Sequence, residues 1–515
     1  MYRIIAYIIL LLILVPKTFC QEVIELKMPE TNKITIKFVF TNGSVSDPTG
    51  KDGLTNLTAN LVTSGGTENL TYNQIQEIIY PMAARYSASV DKEVTVFTFN
   101  IHKDFLEDFY PIMTGLILRP SFAESDFKRV KLNQQNYVDQ IIRSSSDEEY
   151  SKKALEDFLF RGTGYQHMIE GKSETVKSIT LDDVKTHYEN MFTRNNLLIG
   201  ITGNYPDEFV KRLKEDMQKL PDKNQLPHVI KKPEVANGIN VEIISKEDAF
   251  GSATFMGFPI DVTRAEDDFA ALMVANSYLG EHRKSYGVLY NKLRTTRSMN
   301  YGDYSYIEWF DGGGYNSQPP SGFPRSSNYF SVWIRPVQIA KQLKLQYPEL
   351  SDIKIGHAHF SIRLAIREIE KLINEGISKK DFEDTRDFLR SYIKLYVQEL
   401  DERLGYLMDS KYYGRQDFIN ELDALLTNLT LDDVNNAIKK YWQVDNMYIT
   451  IVTDESEAEE LAKSIEGNLT SPMSYSNLVK EGLPLEVLNE DDIVANYRLN
   501  IKSVSIINSK DTFSK

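Results

Sequence analysis

Thr180-Leu181-Asp182-Asp183-Val184 recurs as Thr430-Leu431-Asp432-Asp433-Val434, and the match continues without a gap to Asn196-Leu197-Leu198-Ile199 and Asn446-Met447-Tyr448-Ile449. In both copies a threonine suited to capping a helix precedes acidic residues in the first turn, and an alternating apolar stretch follows. Capping explains the threonine and the acidic residues, but it does not explain so long an unbroken match. The chain is therefore predicted to contain one structural unit twice.

The boundary between the two copies is predicted from composition. With 515 residues the chain is too long for a single core. Residues 221–238 hold Pro221, Pro227, Pro233 and Gly238 among charged residues, which is typical of a linker. The predicted organisation is a signal peptide over 1–20, an N-terminal domain over 21–221, a linker over 222–238, a C-terminal domain over 239–480 and an extension over 481–515.

Each half has the pattern of a mainly antiparallel sheet with helices packed on it. Apolar residues alternate from Ile34 to Phe40, as in a strand with one buried face. Apolar stretches on both sides of Asp91-Lys92-Glu93 indicate a hairpin. Long helices are predicted to open at Asp126-Phe127 and at Asp381-Phe382. Helices over one face of such a sheet form a sandwich, so the predicted class is α+β with two homologous sandwich domains.

The first residues have the pattern of an export signal. Arg3 precedes an apolar run from Ile4 to Val15, and a cleavage position follows at Cys20. The run is too short to span a membrane, which takes about 20 residues, so no stable membrane span is predicted. We expect an exported protein that is periplasmic or extracellular. Lipidation of Cys20 is an alternative that Lys17 disfavours.

The composition excludes several classes of function. The formal charge of −14 argues against nucleic acid as a partner. Gly312-Gly313-Gly314 lacks the spacing of a phosphate-binding loop, and no Gly-x-Ser-x-Gly elbow is present. Cys20 is the only cysteine, so cleavage behind it leaves no thiol nucleophile.

The segment Gly53-Leu54-Thr55-Asn56-Leu57-Thr58-Ala59-Asn60-Leu61 resembles the metal-binding helix of the insulinase/pitrilysin family of zinc peptidases. In that family a His-x-x-Glu-His motif follows a Gly-Leu pair, and it supplies two zinc ligands and the carboxylate that activates water. The corresponding residues here are Asn56, Ala59 and Asn60. Side-chain amides are poor zinc ligands, and alanine has no atom that accepts a proton. No metal or other cofactor is expected.

The family's third ligand is a glutamate on a later helix. Its usual spacing from Asn60 falls on or next to Tyr137, where no carboxylate stands. Tyr137 continues a helical stripe from Phe127 through Gln134 to Ile141, which predicts that its ring packs in the core. Leu54, Leu57 and Leu61 likewise predict a buried stripe on the degenerate metal helix.

Leu293-Arg294 and Tyr301 resemble the Arg/Tyr pair in the second domain of the family. In relatives that pair faces the zinc helix of the opposite domain and contacts the peptide carbonyl, because a guanidinium and a phenol both donate hydrogen bonds to an oxygen that gains negative charge. Ser298-Met299 departs from the usual Gly-Leu and leaves the geometry of the turn open. The alternative is an ordinary surface arginine beside a strand aromatic.

The resemblance implies two domains that enclose a chamber like a clamshell. It also implies an inactive subunit that pairs with a zinc-bearing homologous subunit and binds a peptide or unfolded polypeptide, with Arg294 and Tyr301 positioning the substrate. A peptide-binding or assembly protein without a role in proteolysis is the alternative of a different class. A stand-alone metallopeptidase is disfavoured, because every ligand and the base are replaced.

The histidines offer no convincing metal site. They are His102, His167, His187, His228, His282, His357 and His359. None forms a one-turn helical pair with a nearby carboxylate. The spacing of the last two suits a strand, and isolated histidines more often serve packing or caps.

Overall fold

The computed structural model describes residues 22–224, 230–281, 284, 286–308 and 321–512. The predicted signal peptide, Cys20 and the triple glycine at 312–314 lie outside these ranges. Within them, no helix has the length and apolar character that crossing a bilayer requires.

The first half of the chain alternates strands and helices. Its strands are β1 (Val23–Lys27), β2 (Lys33–Phe40), β3 (Arg85–Val90), β4 (Thr95–His102) and β5 (Leu197–Gly203). Its helices are α1 (Leu54–Ser64), α2 (Tyr72–Ile79), α3 (Leu106–Leu118), α4 (Glu124–Asn136), α5 (Asp147–Leu159), α6 (Ser173–Ser178), α7 (Leu181–Met191) and α8 (Phe209–Met217). A π-helical segment, Tyr137–Ser145, continues α4.

The second half repeats this plan with additions. Its strands are β6 (Ile239–Lys246), β7 (Ser252–Ile260), β8 (Asp303–Tyr306), β9 (Asn328–Val337), β10 (Met447–Asp454) and β11 (Ile501–Asn508). Its helices are α9 (Asp268–Gly280), α10 (Ala340–Gln346), α11 (Ala358–Glu375), α12 (Lys379–Tyr396), α13 (Leu400–Tyr412), α14 (Phe418–Asn428), α15 (Leu431–Tyr441), α16 (Glu455–Glu466), α17 (Asn477–Gly482) and α18 (Leu485–Ala495). A second π-helical segment covers Tyr290–Thr295.

The duplication is visible in the strand orders of two open sheets. The first has the order β1-β5-β2-β4-β3, and the second has the order β11-β6-β10-β7-β9-β8. The second order reproduces the first when β6, β10, β7, β9 and β8 replace β1, β5, β2, β4 and β3. Only the β1–β5, β6–β10 and β6–β11 pairings are parallel among the described strands. The predicted α+β class with two homologous domains is confirmed.

The repeated sequence motif forms the same element twice. Thr180 and Thr430 each cap a helix, α7 and α15, in a capping box with Asp183 and Asp433. The threonine hydroxyl accepts a hydrogen bond from the backbone N–H of the aspartate, and the aspartate carboxylate accepts one from the threonine N–H. The strands that follow, β5 and β10, occupy equivalent places in their sheets.

The predicted single buried face of β2 is wrong. Ile34, Ile36 and Phe38 are buried as expected, but Thr35 and Lys37 on the opposite face are buried too. The cause is a helix from the other half of the chain. Helix α13 lies against this sheet, and its Leu404 and Met408 pack with Leu198 of β5.

The second sheet receives a helix from the first half in return. Helix α5 packs on β7 and β10, where Tyr150 and Ala154 contact Ile244 and Val452 in one apolar cluster. The Ser151 hydroxyl donates a hydrogen bond to the backbone carbonyl of Ala253. The two halves therefore interlock, because each covers a sheet of the other.

The predicted linker and the predicted C-terminal extension differ from each other in structure. Among the described residues between α8 and β6 there is no helix or strand. Residues 481–515, set apart as an extension on sequence grounds, contribute α18 and the edge strand β11 to the second half.

Candidate functional site

Helix α1 carries the degenerate metal motif and is anchored at its first turn. The buried carboxylate of Asp47 accepts hydrogen bonds from the backbone N–H groups of Gly53 and Thr55, both at 2.7 Å. Gly53 has a φ of 93°, a left-handed conformation, and a Cβ there would lie 2.5 Å from the Glu170 carbonyl oxygen. Leu54, Leu57 and Leu61 are buried as predicted.

The two asparagines of the motif are tied to each other and to α4. The Asn60 amide donates to the Asn56 side-chain oxygen at 3.1 Å and to its backbone carbonyl at 2.9 Å. The Asn56 amide donates to the side-chain oxygen of Gln134 at 3.1 Å. The Gln134 amide donates to the carbonyls of Gly53 and Glu170 at 3.0 and 2.8 Å. We call Asn60, Asn56 and Gln134 the amide chain.

The amide chain is chemically unsuited to zinc. Zinc sites use imidazole, thiolate or carboxylate groups, and the side-chain oxygens of Asn56 and Gln134 already accept hydrogen bonds within the chain. Ala59 is fully buried and packs in the apolar core of the first half. In the part of the chain that the structure describes, no three histidine, cysteine, aspartate or glutamate residues cluster as metal ligands would. The residues present do not fit the family's metal.

Gln134 is a residue of α4 whose side chain contacts the degenerate motif, while the matching of Tyr137 to the family's third ligand stays a prediction. The prediction that Tyr137 packs in the core is wrong, since its side chain is 36% exposed, and Ile141 is 45% exposed. The π-helix that begins at Tyr137 has wider turns than an α-helix, which shifts the buried stripe by one residue. Val138 and Ile142 are fully buried instead.

Arg294 and Tyr301 do lie together. The guanidinium carbon of Arg294 is 5.2 Å from the centroid of the Tyr301 ring, and that ring is 77% exposed. Ser298 adopts a φ of 53°, and it donates its N–H to the Arg294 carbonyl at 2.9 Å. Serine thus occupies a left-handed backbone conformation that glycine usually adopts.

The pair borders an open groove of about 690 Å³, which we call the Arg294 groove. Its lining comes from the second half alone: Phe250, Arg294, Ser298, Met299, Asn300, Tyr301, Pro336, Val337, Gln338, Gln342, Leu345 and Gln346. Asn56, Ala59 and Asn60 are not among the residues that line this groove.

Asp303, which follows the pair in sequence, carries a buried carboxyl group. One of its oxygens accepts a hydrogen bond from the Asn300 amide at 2.7 Å. Burial raises the pKa of Asp303 to about 8, although Asn300 and the positive charges of Arg335 and Arg294 oppose the shift. At neutral pH this carboxyl is mainly protonated and does not neutralise the charge of Arg294.

Three of the described histidines make hydrogen-bond contacts inside the fold. His357 precedes the first residue of α11 and shares a hydrogen bond with the Ser474 carbonyl, while His359 lies in the first turn and contacts the Ser464 hydroxyl. The strand that their spacing suggested is therefore absent, because α11 begins between them. His187 contacts the Thr55 hydroxyl at 2.9 Å. His228 and His282 lie outside the described residues.

Two family models match the chain. The model for insulinase (peptidase family M16) covers residues 22–172, and the model for the peptidase M16 inactive domain covers residues 178–318. The chain belongs to the insulinase family. Its likeness to family members extends over most of its length.

Individual relatives agree with this assignment. The protein named non-peptidase homolog YmxG of Helicobacter pylori is 21% identical over 448 residues, which cover 85% of this chain and 94% of the relative. A probable mitochondrial-processing peptidase subunit beta of Arabidopsis thaliana is 22% identical over 43% of this chain and 42% of the relative. The crystal structure of a peptidase M16 inactive domain from Pseudomonas fluorescens has a TM-score of 0.70 at 16% identity, over 85% of this chain and 96% of the other.

Together these findings support a pseudopeptidase of the insulinase family. The inactive-domain match and the likeness to a non-peptidase homologue agree with the chemistry of the amide chain. The sequence predicted that Gln134 lies on the buried stripe, but its contact with Asn56 was missed. The family's usual spacing from Asn60 had selected Tyr137, three residues after Gln134. Phe250 and Leu345 were also missed, because they carry no motif and become neighbours of Arg294 only in the fold.

Proposed function

We propose that this chain is the non-catalytic subunit of a heteromeric zinc peptidase and that it helps to bind and position peptide substrates. One observation carries the proposal: Arg294 and Tyr301 border a groove open to solvent, whereas the partly exposed Asn56 and Asn60 are engaged in hydrogen bonds of the amide chain and Ala59 is buried. The hydrogen-bond donors of Arg294 and Tyr301 could serve an active site for which another chain supplies the metal.

The chemistry of the pair suits peptide binding. The Arg294 guanidinium and the Tyr301 hydroxyl donate hydrogen bonds to carbonyl oxygen, and their donation strengthens as negative charge develops there. The edge strand β3 pairs with β4 only, among the described strands, and its unpaired side is suited to a peptide in extended conformation. The predicted substrate is therefore a peptide or an unfolded polypeptide segment.

The partner of this proposal is a homologous chain that retains His-x-x-Glu-His. The Arabidopsis relative is named as a subunit, which supports a multi-subunit arrangement for part of the family. With residues 1–20 as a signal peptide, the assembly would form outside the cytoplasm, in the periplasm or the extracellular space. A periplasmic heterodimer is the simplest form of the proposal.

The test mixes the purified chain with a zinc-bearing homologue encoded beside it. We expect the mixture to cleave a fluorogenic peptide at a rate that neither chain reaches alone. Arg294→Ala should lower that rate about tenfold or more, because a donor to the developing oxyanion is lost. Arg119→Ala, which removes an exposed arginine in the first half, is the matched control and should leave the rate unchanged.

A peptide-binding or assembly protein without a role in proteolysis is the competing function. The chemistry of the amide chain is equally compatible with this alternative, since neither function needs a metal in this chain. Peptide binding by the purified protein, with no gain in cleavage alongside the homologue, would decide for this alternative. An Arg294→Ala variant that leaves the activity of the mixture intact would also exclude the shared site.

A further inference from the structure

The Arg294 groove combines a cation with three highly exposed aromatic or aliphatic side chains. Phe250 is 82% exposed, Leu345 is 88% exposed and Tyr301 is 77% exposed. Met299 and Val337 are buried residues that also border the groove. Large apolar side chains grouped on a surface commonly mark a binding site, whereas isolated ones need no explanation.

Arg294 brings a positive charge to this apolar groove. It forms no ion pair with any residue in the described ranges, whereas the neighbouring Arg335 pairs with Glu148 at 2.8 Å. The carboxyl of Asp303 is mainly protonated at neutral pH, as burial raises its pKa to about 8, so it does not cancel the charge. A guanidinium beside apolar surface is suited to a carboxylate, which it can bind with two parallel hydrogen bonds.

The remaining lining is polar but uncharged. Gln338, Gln342 and Gln346 border the groove at intervals of four residues, on and just before α10. The Gln342 amide is engaged with the Phe250 carbonyl and the Ile339 N–H. Glutamine amides both donate and accept hydrogen bonds, so Gln338 and Gln346 match the alternating N–H and C=O groups of a peptide backbone. The groove thus offers apolar contacts, backbone partners and a single anion-binding group.

We propose that the Arg294 groove binds the C-terminal end of a peptide, with the terminal carboxylate on Arg294 and one or two large apolar side chains against Phe250 and Leu345. This inference rests on the proposed function, because it specifies which peptides the Arg294 and Tyr301 pair receives. The occupant is a free C-terminus that follows apolar residues, such as a cleavage product or a short apolar peptide.

The experiment measures fluorescence anisotropy of the full chain with two labelled hexapeptides of one sequence ending in leucine and phenylalanine. One has a free C-terminal carboxylate, and the other has a C-terminal amide. The free acid is expected to bind about tenfold tighter or more, as for a hydrogen-bonded ion pair. Arg294→Met should abolish the preference, because it weakens the acid about tenfold or more and the amide, which loses only a hydrogen bond to a neutral oxygen, much less.

Two further variants separate the contributions. Leu345→Ser should weaken both peptides to the same extent, because it removes apolar contact and no charge. Lys341→Met removes a cation from α10 next to Gln342 and should preserve the preference for the acid. All three residues are at least partly exposed, so the variants are expected to fold, as circular dichroism can verify.

Each contrary result has a distinct meaning. Equal binding of the two peptides, with both weakened by Arg294→Met, would leave the proposed function standing and overturn the carboxylate assignment. Equally tight binding of an amidated peptide with an internal glutamate would overturn it too, since a side-chain carboxylate would then be the ligand. Failure of every peptide to bind would overturn both this inference and the proposed role in peptide binding.

Discussion

At the scale of single residues, side-chain amides stand where the family has metal ligands, and these amides form hydrogen bonds with one another. Asn60, Asn56 and Gln134 occupy one continuous hydrogen-bond chain that ends on the carbonyls of Gly53 and Glu170. A buried polar group without a partner costs about 1–3 kcal/mol, so this arrangement keeps the helix stable without a cation.

Its contact with Asn56 makes Gln134 a candidate for the third ligand position, and rebuilding the site tests this assignment. Asn56→His, Asn60→His and Gln134→Glu together should create a zinc site that isothermal titration detects at close to one ion per chain, because two imidazoles and a carboxylate form a sufficient ligand set. The matched variant carries Tyr137→Glu in place of Gln134→Glu and should bind zinc far more weakly. Equal affinity of the two variants would refute the assignment.

Buried histidines make stability depend on pH. Burial lowers the pKa of His359 from 6.5 to about 3, and the charge of Arg363 acts in the same direction. The unfolded chain therefore binds this proton more readily between those values, and stability is lost as pH falls below 6.5. We expect about 2 kcal/mol of this loss from His359 between pH 7.5 and 5. Denaturant unfolding of His359→Asn should show a flatter profile, and an unchanged slope would contradict this reasoning.

At the scale of elements, the turn between Arg294 and Tyr301 stores strain. Ser298 has a φ of 53°, which costs a residue with a Cβ about 1 kcal/mol relative to glycine. Ser298→Gly should therefore raise the free energy of unfolding by about 0.5–1 kcal/mol in urea denaturation. Ser298→Ala keeps the Cβ and should bring no gain. A loss of stability in the glycine variant would show that the serine side chain stabilises the turn.

Elements with local causes were predictable from the sequence, and elements with distant causes were not. The caps at Thr180 and Thr430 involve atoms three residues apart, so the pattern of the chain is sufficient. The burial of Lys37 depends on α13, which lies several hundred residues away in the chain. Tyr137 does not lie on the predicted buried stripe, because the π-helical segment changes the number of residues per helical turn. No residue type in the sequence indicates such a segment.

The candidate site divides in the same way. Asn56, Ala59 and Asn60 were matched to the family's site by their motif. Arg294 and Tyr301, matched by their spacing, lie together in the structure, and their role in substrate binding stays a prediction. The groove itself was not predictable, since Phe250 of the β6–β7 connection and Leu345 of α10 meet there only in the folded second half.

At the scale of the whole molecule, buried charges join the interlocked halves. Arg325 of the second half donates to Asp91 of the β3–β4 hairpin at 2.6 and 2.7 Å and to Glu156 of α5 at 2.7 Å. Lys92 pairs with Glu156 at 3.2 Å, and all four side chains are at most 2% exposed. Helix α5 packs on the second sheet, helix α13 packs on the first, and the buried network adds charged contacts, so the two halves are held together.

Removing Arg325 should destabilise the whole chain. Arg325→Met leaves Asp91 buried without its hydrogen-bonded guanidinium, and losing one partner of a buried pair typically costs about 3–5 kcal/mol. The exposed contact between Lys411 and Glu22, at 2.7 Å, also joins the halves and supplies the control. Lys411→Met should cost less than about 1 kcal/mol. Similar shifts in the melting temperature of the two variants would show that the buried network does not hold the halves together.

The most direct measurement is the zinc content of the purified wild-type chain after incubation with excess zinc and gel filtration. The amide chain and the buried Ala59 predict far less than one zinc ion per chain and no peptidase activity of the isolated protein. One tightly bound zinc ion per chain, lost on substitution of Asn56 or Gln134, would contradict the account.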